Sequence, residues 1–192
     1  MTIMRQPFAW PVVAGALWLA GCGSSPSPDP HFKIGSPYRI NGSWYYPQAV
    51  SAYEATGIAS WYGASYHGRL TANGELYDMY ALSAAHPTLQ LPSVVRVTNL
   101  ENGRSLVLRV NDRGPFVKNR LIDLSWAAAR ELGFEELGLA EVHVQYLGIA
   151  ALDQKPIRPG EAREYASLTC DLAGPRRLVC AEPAAAPRAE GG

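Results

Sequence analysis

The stretch RVNDRGPFVKNRLIDLS, residues 109–125, leaves an apolar strand pattern, turns at Asp112 and brings Asp123 up to the start of a helix. Asp-Arg-Gly-Pro is turn chemistry, in which an aspartate commonly bonds its own backbone. Asp123, two residues before Ser125, suits the positive end of the helix that follows. Local structure therefore explains each carboxylate singly. A pair of them is also what general acid–base chemistry requires.

The segments around this stretch read mainly as strands. SVVRVTNL (93–100) and SLVLRVN (105–111) alternate apolar and polar residues about ENG, which predicts a hairpin. SWAAARELG (125–133) predicts a short helix with Ser125 as N-cap, Arg130 in the last turn and Gly133 ending it. AEVHVQYLG (140–148) alternates strictly, with Val142, Val144 and Tyr146 on one face. Upstream, GIASWYG (57–63) is a strand closed by Gly63. TANGELYD (71–78) holds an Asn-Gly turn, and YALSAAH (80–86) is a strand of small residues ending at His86. YRINGSWYY (38–46) carries a second Asn-Gly hairpin signal. About six strands and one helix over roughly ninety residues predict a mainly β fold, a small barrel rather than a sandwich.

The chain has 192 residues, 47% of them hydrophobic, enough for one sizeable core. Lys+Arg and Asp+Glu both number 17, so no global field favours nucleic acid or an anionic surface.

The N-terminus MTIMRQPFAWPVVAGALWLAGC (1–22) has a basic Arg5, a short apolar run and small residues before Cys22, the pattern of an export signal. LAGC at 19–22 resembles a bacterial lipoprotein processing box. That resemblance implies cleavage before Cys22, lipid on its thiol and amine, and stable anchoring by several acyl chains. Gly23 is not the aspartate associated with inner-membrane retention, so the expected location is the periplasmic face of the outer membrane. Cys170 and Cys180 then remain, and an oxidising compartment favours a disulfide between them. A metal pair is the alternative, but no neighbouring His or further Cys completes a site. The expected organisation is a signal peptide (1–21), a lipidated Cys and Ser/Pro linker (22–32), a lead-in segment (33–55), the barrel (56–148) and a tail (149–192) whose end has no periodicity.

The run GIASWYGASYHGRLTANGELYD through VNDRGP and IDLS to SWAAARELG resembles the rare lipoprotein A family, over about Thr56 to Gly148, and KIGSPYRINGSWYYP (33–47) resembles that family's lead-in. The resemblance implies a six-stranded double-psi β-barrel, a fold shared with expansins, and lytic transglycosylase activity on peptidoglycan glycan strands. It implies that Glu75, His86, Asp112 and Asp123 are the catalytic candidates, with Asp123 matching the aspartate favoured as the acid in related segments. Many members carry a C-terminal sporulation-related repeat domain. The forty or so residues after the barrel do not resemble it, so neither septal targeting nor a preference for denuded strands is expected from that source.

Cleavage of a glycosidic bond needs a proton on the leaving oxygen while positive charge grows at the anomeric carbon. A lytic transglycosylase uses the sugar's own C6 hydroxyl in place of water, so an acid/base, electrostatic support and positioning groups suffice. Neighbouring carboxylates would raise one another's pKa and keep one protonated. Trp61, Tyr62 and Tyr66 are candidates for stacking on sugars, although aromatic residues also dominate small cores. By alternation Trp61 and Tyr62 cannot both face inward. Asn73, Arg113 and Arg120 are polar groups on the same loops, with Arg113 suited to orienting Asp112 or binding a carboxylate. His67 and His143 lack spaced partners, so neither a metal nor another cofactor is expected. The second functional class is a non-catalytic, expansin-like barrel that binds or loosens glycan.

Overall fold

The computed structural model describes residues 27–154, 156–160, 170–172 and 178–180. Strands β1 (Tyr38–Ile40) and β2 (Ser43–Tyr45) form the first hairpin. Asn41 and Gly42 both take positive φ, 49° and 83°, as a tight two-residue hairpin turn requires. The barrel strands are β3 (Glu54–Tyr62), β4 (Ser83–Ala85), β5 (Ser93–Asn99), β6 (Ser105–Asp112), β7 (Arg120–Ser125) and β8 (Ala140–Ile149). They close in the order β3-β7-β4-β6-β5-β8. The β3/β7 and β4/β6 pairs are parallel and the other four antiparallel. This is the six-stranded double-psi barrel expected.

Inward-facing residues from every strand fill the interior: Ala59, Ala84, Val95, Val97, Leu108, Val110, Ile122, Leu124, Val142 and Val144 are all 0% exposed. Closure buries one face of each strand and leaves no unpaired edge. Helix α1 (Trp126–Leu132) follows β7 directly. Ser125 caps it by accepting from the Ala128 N–H, and Gly133 ends it at φ 76°, as read from the sequence. Ala127, Ala128, Ala129 and Leu132 join the barrel core.

Three features differ from the sequence reading. RLIDLS is a strand, β7, so Asp123 sits inside a sheet rather than only ahead of a helix. The tail does not leave the barrel at Ile149: Ile157 is buried in the core, and its carbonyl accepts the Leu82 N–H. The lead-in engages the barrel before Lys33, since Asp29 and His31 donate backbone N–H groups to the carbonyls of Gly74 and Asn73. Cys22 lies outside the described residues. Two short strands, β9 (Cys170–Leu172) and β10 (Leu178–Cys180), place Cys170 opposite Cys180, but their side chains are outside the described part.

Candidate active site

Residue register builds the site. Asp123 on β7 is paired with Ser60 on β3 and with Ala85 on β4, and Ala85 is paired in turn with Asp112 on β6. A single transverse row, Ser60–Asp123–Ala85–Asp112, therefore crosses four strands on the outer face of the barrel. With strands about 4.8 Å apart, the two aspartate Cα atoms are roughly 10 Å apart. One step inward, Trp61, Leu124, Ala84 and Val110 form the next row, which packs against or within the core. One step further, Tyr62, Ser125, Ser83 and Arg109 face outward again, with Ser125 Oγ accepting the Ser83 N–H at 3.3 Å.

A β-bulge makes this row possible. The β4/β6 register slips between Ala84 and Ala85, so that Val110 and Asp112 face successive residues of β4 and Asn111 is the extra one. Strict alternation from inward Val110 would point Asp112 into the core; the bulge turns it onto the outer face. A second slip, between Ile58 and Ala59, lies in the β3/β7 pair just before Asp123.

Both aspartates are partly exposed and hydrogen-bonded. Asp112 Oδ1 accepts the backbone N–H groups of Ala72 at 2.8 Å and Arg113 at 2.7 Å. Asp123 Oδ1 accepts from Ser60 Oγ at 2.6 Å, and Oδ2 from Arg120 at 3.2 Å. Burial pushes Asp112 above the ordinary carboxylate range, against those two N–H bonds and the charges of Arg113 and Lys33. Burial also raises Asp123, against the Ser60 bond and the Arg120 charge. The expected cause was mutual repulsion; desolvation is the cause found, and neither aspartate is among the groups that shift the other.

Glu75 and His86 are held differently. Arg109, with its side chain 3% exposed, grips Glu75 through Nε at 3.1 Å and Nη2 at 2.7 Å. Asn111 and Asn73 add amide donors at 2.9 and 2.6 Å. Burial alone would raise Glu75, but the Arg109 bonds and charge together with the amides outweigh it and hold the carboxylate ionised. It lacks a proton to give. His86 is buried, and its Nδ1 accepts the N–H groups of Thr88 and Leu89 at 3.2 and 3.1 Å, leaving Nε2–H to face Tyr53 Oη at 3.1 Å. Burial, assisted by the Arg113 charge, lowers its pKa to about 3, so the ring is neutral. These two candidates brace the aspartate row: Glu75 orients Asn111 at the bulge, and the His86 N–H donates to the Asp112 carbonyl.

The binding candidates also divide. Asn73 is fully buried between Thr71 and Glu75, so it is scaffold rather than sugar contact. The Arg113 guanidinium donates to the carbonyls of His86, Leu89 and Ile34, and its charge lies close enough to Asp112 to favour the ionised carboxylate. Trp61 packs against the core and donates Nε1–H to the Glu135 carbonyl. Tyr62 stacks on Tyr77 at 4.2 Å and meets Tyr66 edge-on at 5.9 Å. Tyr66 is 52% exposed and takes Arg69 over its ring. Arg120 remains beside Asp123 at the mouth. Among the described residues, the buried side-chain polar atoms without a hydrogen-bond partner are Tyr62 Oη, Ser83 Oγ, Asn111 Oδ1 and Arg120 Nε, one on each of the four strands bearing the row.

Sequence reasoning missed Ser60, Ser83, Arg109 and Asn111. Arg109 left a signal, since a cation within the apolar strand SLVLRVN demands a buried partner. Ser60 left a weaker one, as the polar member of an alternating ASW.

Known proteins match the barrel part of this chain. Residues 54–144 match the family described as "Lytic transglycolase". The chain is 58% identical over 111 residues to the endolytic peptidoglycan transglycosylase RlpA of Pseudomonas aeruginosa strain UCBPP-PA14, covering 57% of this chain and 33% of that protein. It is 46% identical over 133 residues to the RlpA of Helicobacter pylori strain J99, covering 69% of this chain and 42% of that protein. The chain thus spans well under two thirds of these relatives. Among solved structures, a Streptomyces papain inhibitor aligns over 49% of this chain and 94% of its own, with a TM-score of 0.41 and 23% identity. Over its barrel, then, this chain matches the lytic transglycolase family and is similar to the rare lipoprotein A proteins.

Proposed function

We propose that this chain is an endolytic peptidoglycan lytic transglycosylase. The observation that carries this reading is the Ser60–Asp123–Ala85–Asp112 row, which sets two carboxyl groups of raised pKa on one partly exposed face. Its relatives are named for this activity. In the reaction, a carboxylic acid of the pair protonates the glycosidic oxygen as the C1–O4 bond breaks. The second carboxylate supports the positive charge growing at C1. The C6 hydroxyl of the same muramic acid closes on C1, and the donor, now a carboxylate, takes up the C6 proton. The proton count balances, with no water consumed. Glu75, Arg109, Asn73 and Asn111 hold the bulge that aims Asp112; Ser60 and Arg120 hold Asp123.

Lipidation at Cys22 would anchor the barrel to the periplasmic face of the outer membrane, in reach of the wall, and a Cys170–Cys180 disulfide would staple the tail. Sacculi digested with the wild-type chain should yield strands ending in 1,6-anhydro-N-acetylmuramic acid. Retention on sacculi with no anhydro ends would instead establish the non-catalytic, glycan-binding barrel.

A further inference from the structure

The hairpin of β1 and β2 lies outside the barrel, and its two faces differ. The inner face is Tyr38 and Tyr45, stacked at 5.2 Å and meeting Phe116 edge-on at 6.0 and 5.6 Å. Tyr38 Oη also donates to the Pro87 carbonyl at 2.7 Å. The outer face is Trp44 and Tyr46, 55% and 61% exposed, with ring centroids 6.3 Å apart and planes within 26°. Residues two apart on a strand share a face, and the hairpin register adds exposed Arg39 opposite Trp44. Packing on Phe116 and the bond to Pro87 account for the inner rings. They account for neither outer ring, and paired exposed aromatic residues on a short, tightly turned hairpin mark a contact surface.

We propose that the outer face of this hairpin, Trp44 with Tyr46, is a second glycan contact that holds the peptidoglycan strand alongside the aspartate row. The identity of the ligand rests on the function proposed above; the surface itself does not. Position argues for the same polymer. Phe116 follows Asp112 by four residues, a span of at most about 14 Å. Pro87 directly follows His86, whose backbone N–H is bonded to the Asp112 carbonyl. The hairpin is thus fastened to the two segments that place Asp112, so one strand of several sugars reaches both surfaces. Chemistry argues the same way. Near-parallel aromatic faces stack on the C–H faces of pyranose rings. Residues 38–46 hold one cation, Arg39, and no carboxylate. That is far from the basic cluster that draws a protein onto an anionic bilayer.

The test uses the full chain with Trp44→Ala and Tyr46→Ala together, and a second variant with both changed to Phe. Retention on insoluble sacculi should fall about tenfold in the alanine variant and recover in the phenylalanine variant. Thermal midpoint and anhydro-product release from short soluble glycans should match wild type. Unchanged retention overturns the proposal. So does a loss of turnover on short glycans equal to the loss of retention, because that would show disturbance of the row itself. Loss of binding to phosphatidylglycerol vesicles with sacculus retention intact would assign the face to lipid, and likewise overturn it. If the wild-type chain releases no anhydro ends yet its retention depends on Trp44 and Tyr46, the enzymatic reading fails and this surface stands.

Discussion

Asp112 and Asp123, eleven positions apart in the chain, are paired with the same residue, Ala85, from opposite sides. The strand between them, β4, comes from a segment nearly thirty residues upstream of Asp112. Asp112→Asn and Asp123→Asn should each reduce anhydro-product release about 10²-fold or more while leaving sacculus retention intact, as chromatography of the digest will show. Normal digestion by both variants would remove the aspartates from the chemistry. Asp112→Asn should also raise the thermal midpoint at pH 7. Burial disfavours the ionised carboxylate, so wild-type stability declines as pH rises from the ordinary carboxylate pKa through the raised folded value. The gain in the variant should therefore disappear in acid.

Glu75→Gln separates bracing from catalysis. It leaves Arg109 buried without its counter-charge, a loss of about 3–5 kcal/mol for breaking such a pair. Chemical denaturation should show that loss alongside reduced activity. Full stability with lost activity would instead place Glu75 in the reaction. Because its pKa is lowered, the stability it contributes is present above the ordinary carboxylate value and is lost as pH falls through the folded one.

His86 should be a stability residue with an acid signature. Its pKa falls from 6.5 to about 3, so the unfolded chain binds a proton there that the folded chain refuses. Wild-type stability should decline as pH drops from 6.5 towards 3. His86→Asn retains an acceptor for the Thr88 and Leu89 N–H groups and removes the titration. Its thermal midpoint plotted against pH should be flatter over that window.

Tyr62→Phe keeps the stack on Tyr77 and deletes a buried hydroxyl that makes no well-formed hydrogen bond and interacts only weakly with the Ser83 hydroxyl. Stability should change by no more than about 1 kcal/mol, since at most one weak bond is abandoned. Burial pushes the Tyr62 phenol well above its ordinary range, so it is neutral between pH 4 and 8, and it is not among the groups that shift Asp112 or Asp123. The pH profile of anhydro-product release should therefore keep its shape over that range. A displaced profile would place the hydroxyl beside the reacting carboxyl.

Where local rules operate, the residues foretold the structure closely. The Asn41-Gly42 turn, the β5/β6 hairpin, the Ser125 cap, the Gly133 stop and the inward face of β8 all follow from alternation and turn chemistry within a few neighbours. β7 was harder to see because a bulge interrupts its pattern and a helix begins at its last residue. Asp112 was harder still, since alternation alone would have pointed it inward.

Residue order alone thus indicated most element types and a small barrel, because backbone propensity and side-chain period are local properties; the two acids worth testing came from the resemblance to a known family. Tertiary structure decided which candidates face solvent and which are spent as scaffold. Glu75 is neutralised by an arginine thirty-four residues away, and His86 is sealed under Tyr53. Asp112 meets its row only through a register slip against β4. Desolvation and register depend on which strands close the barrel side by side, and no short window of sequence contains that.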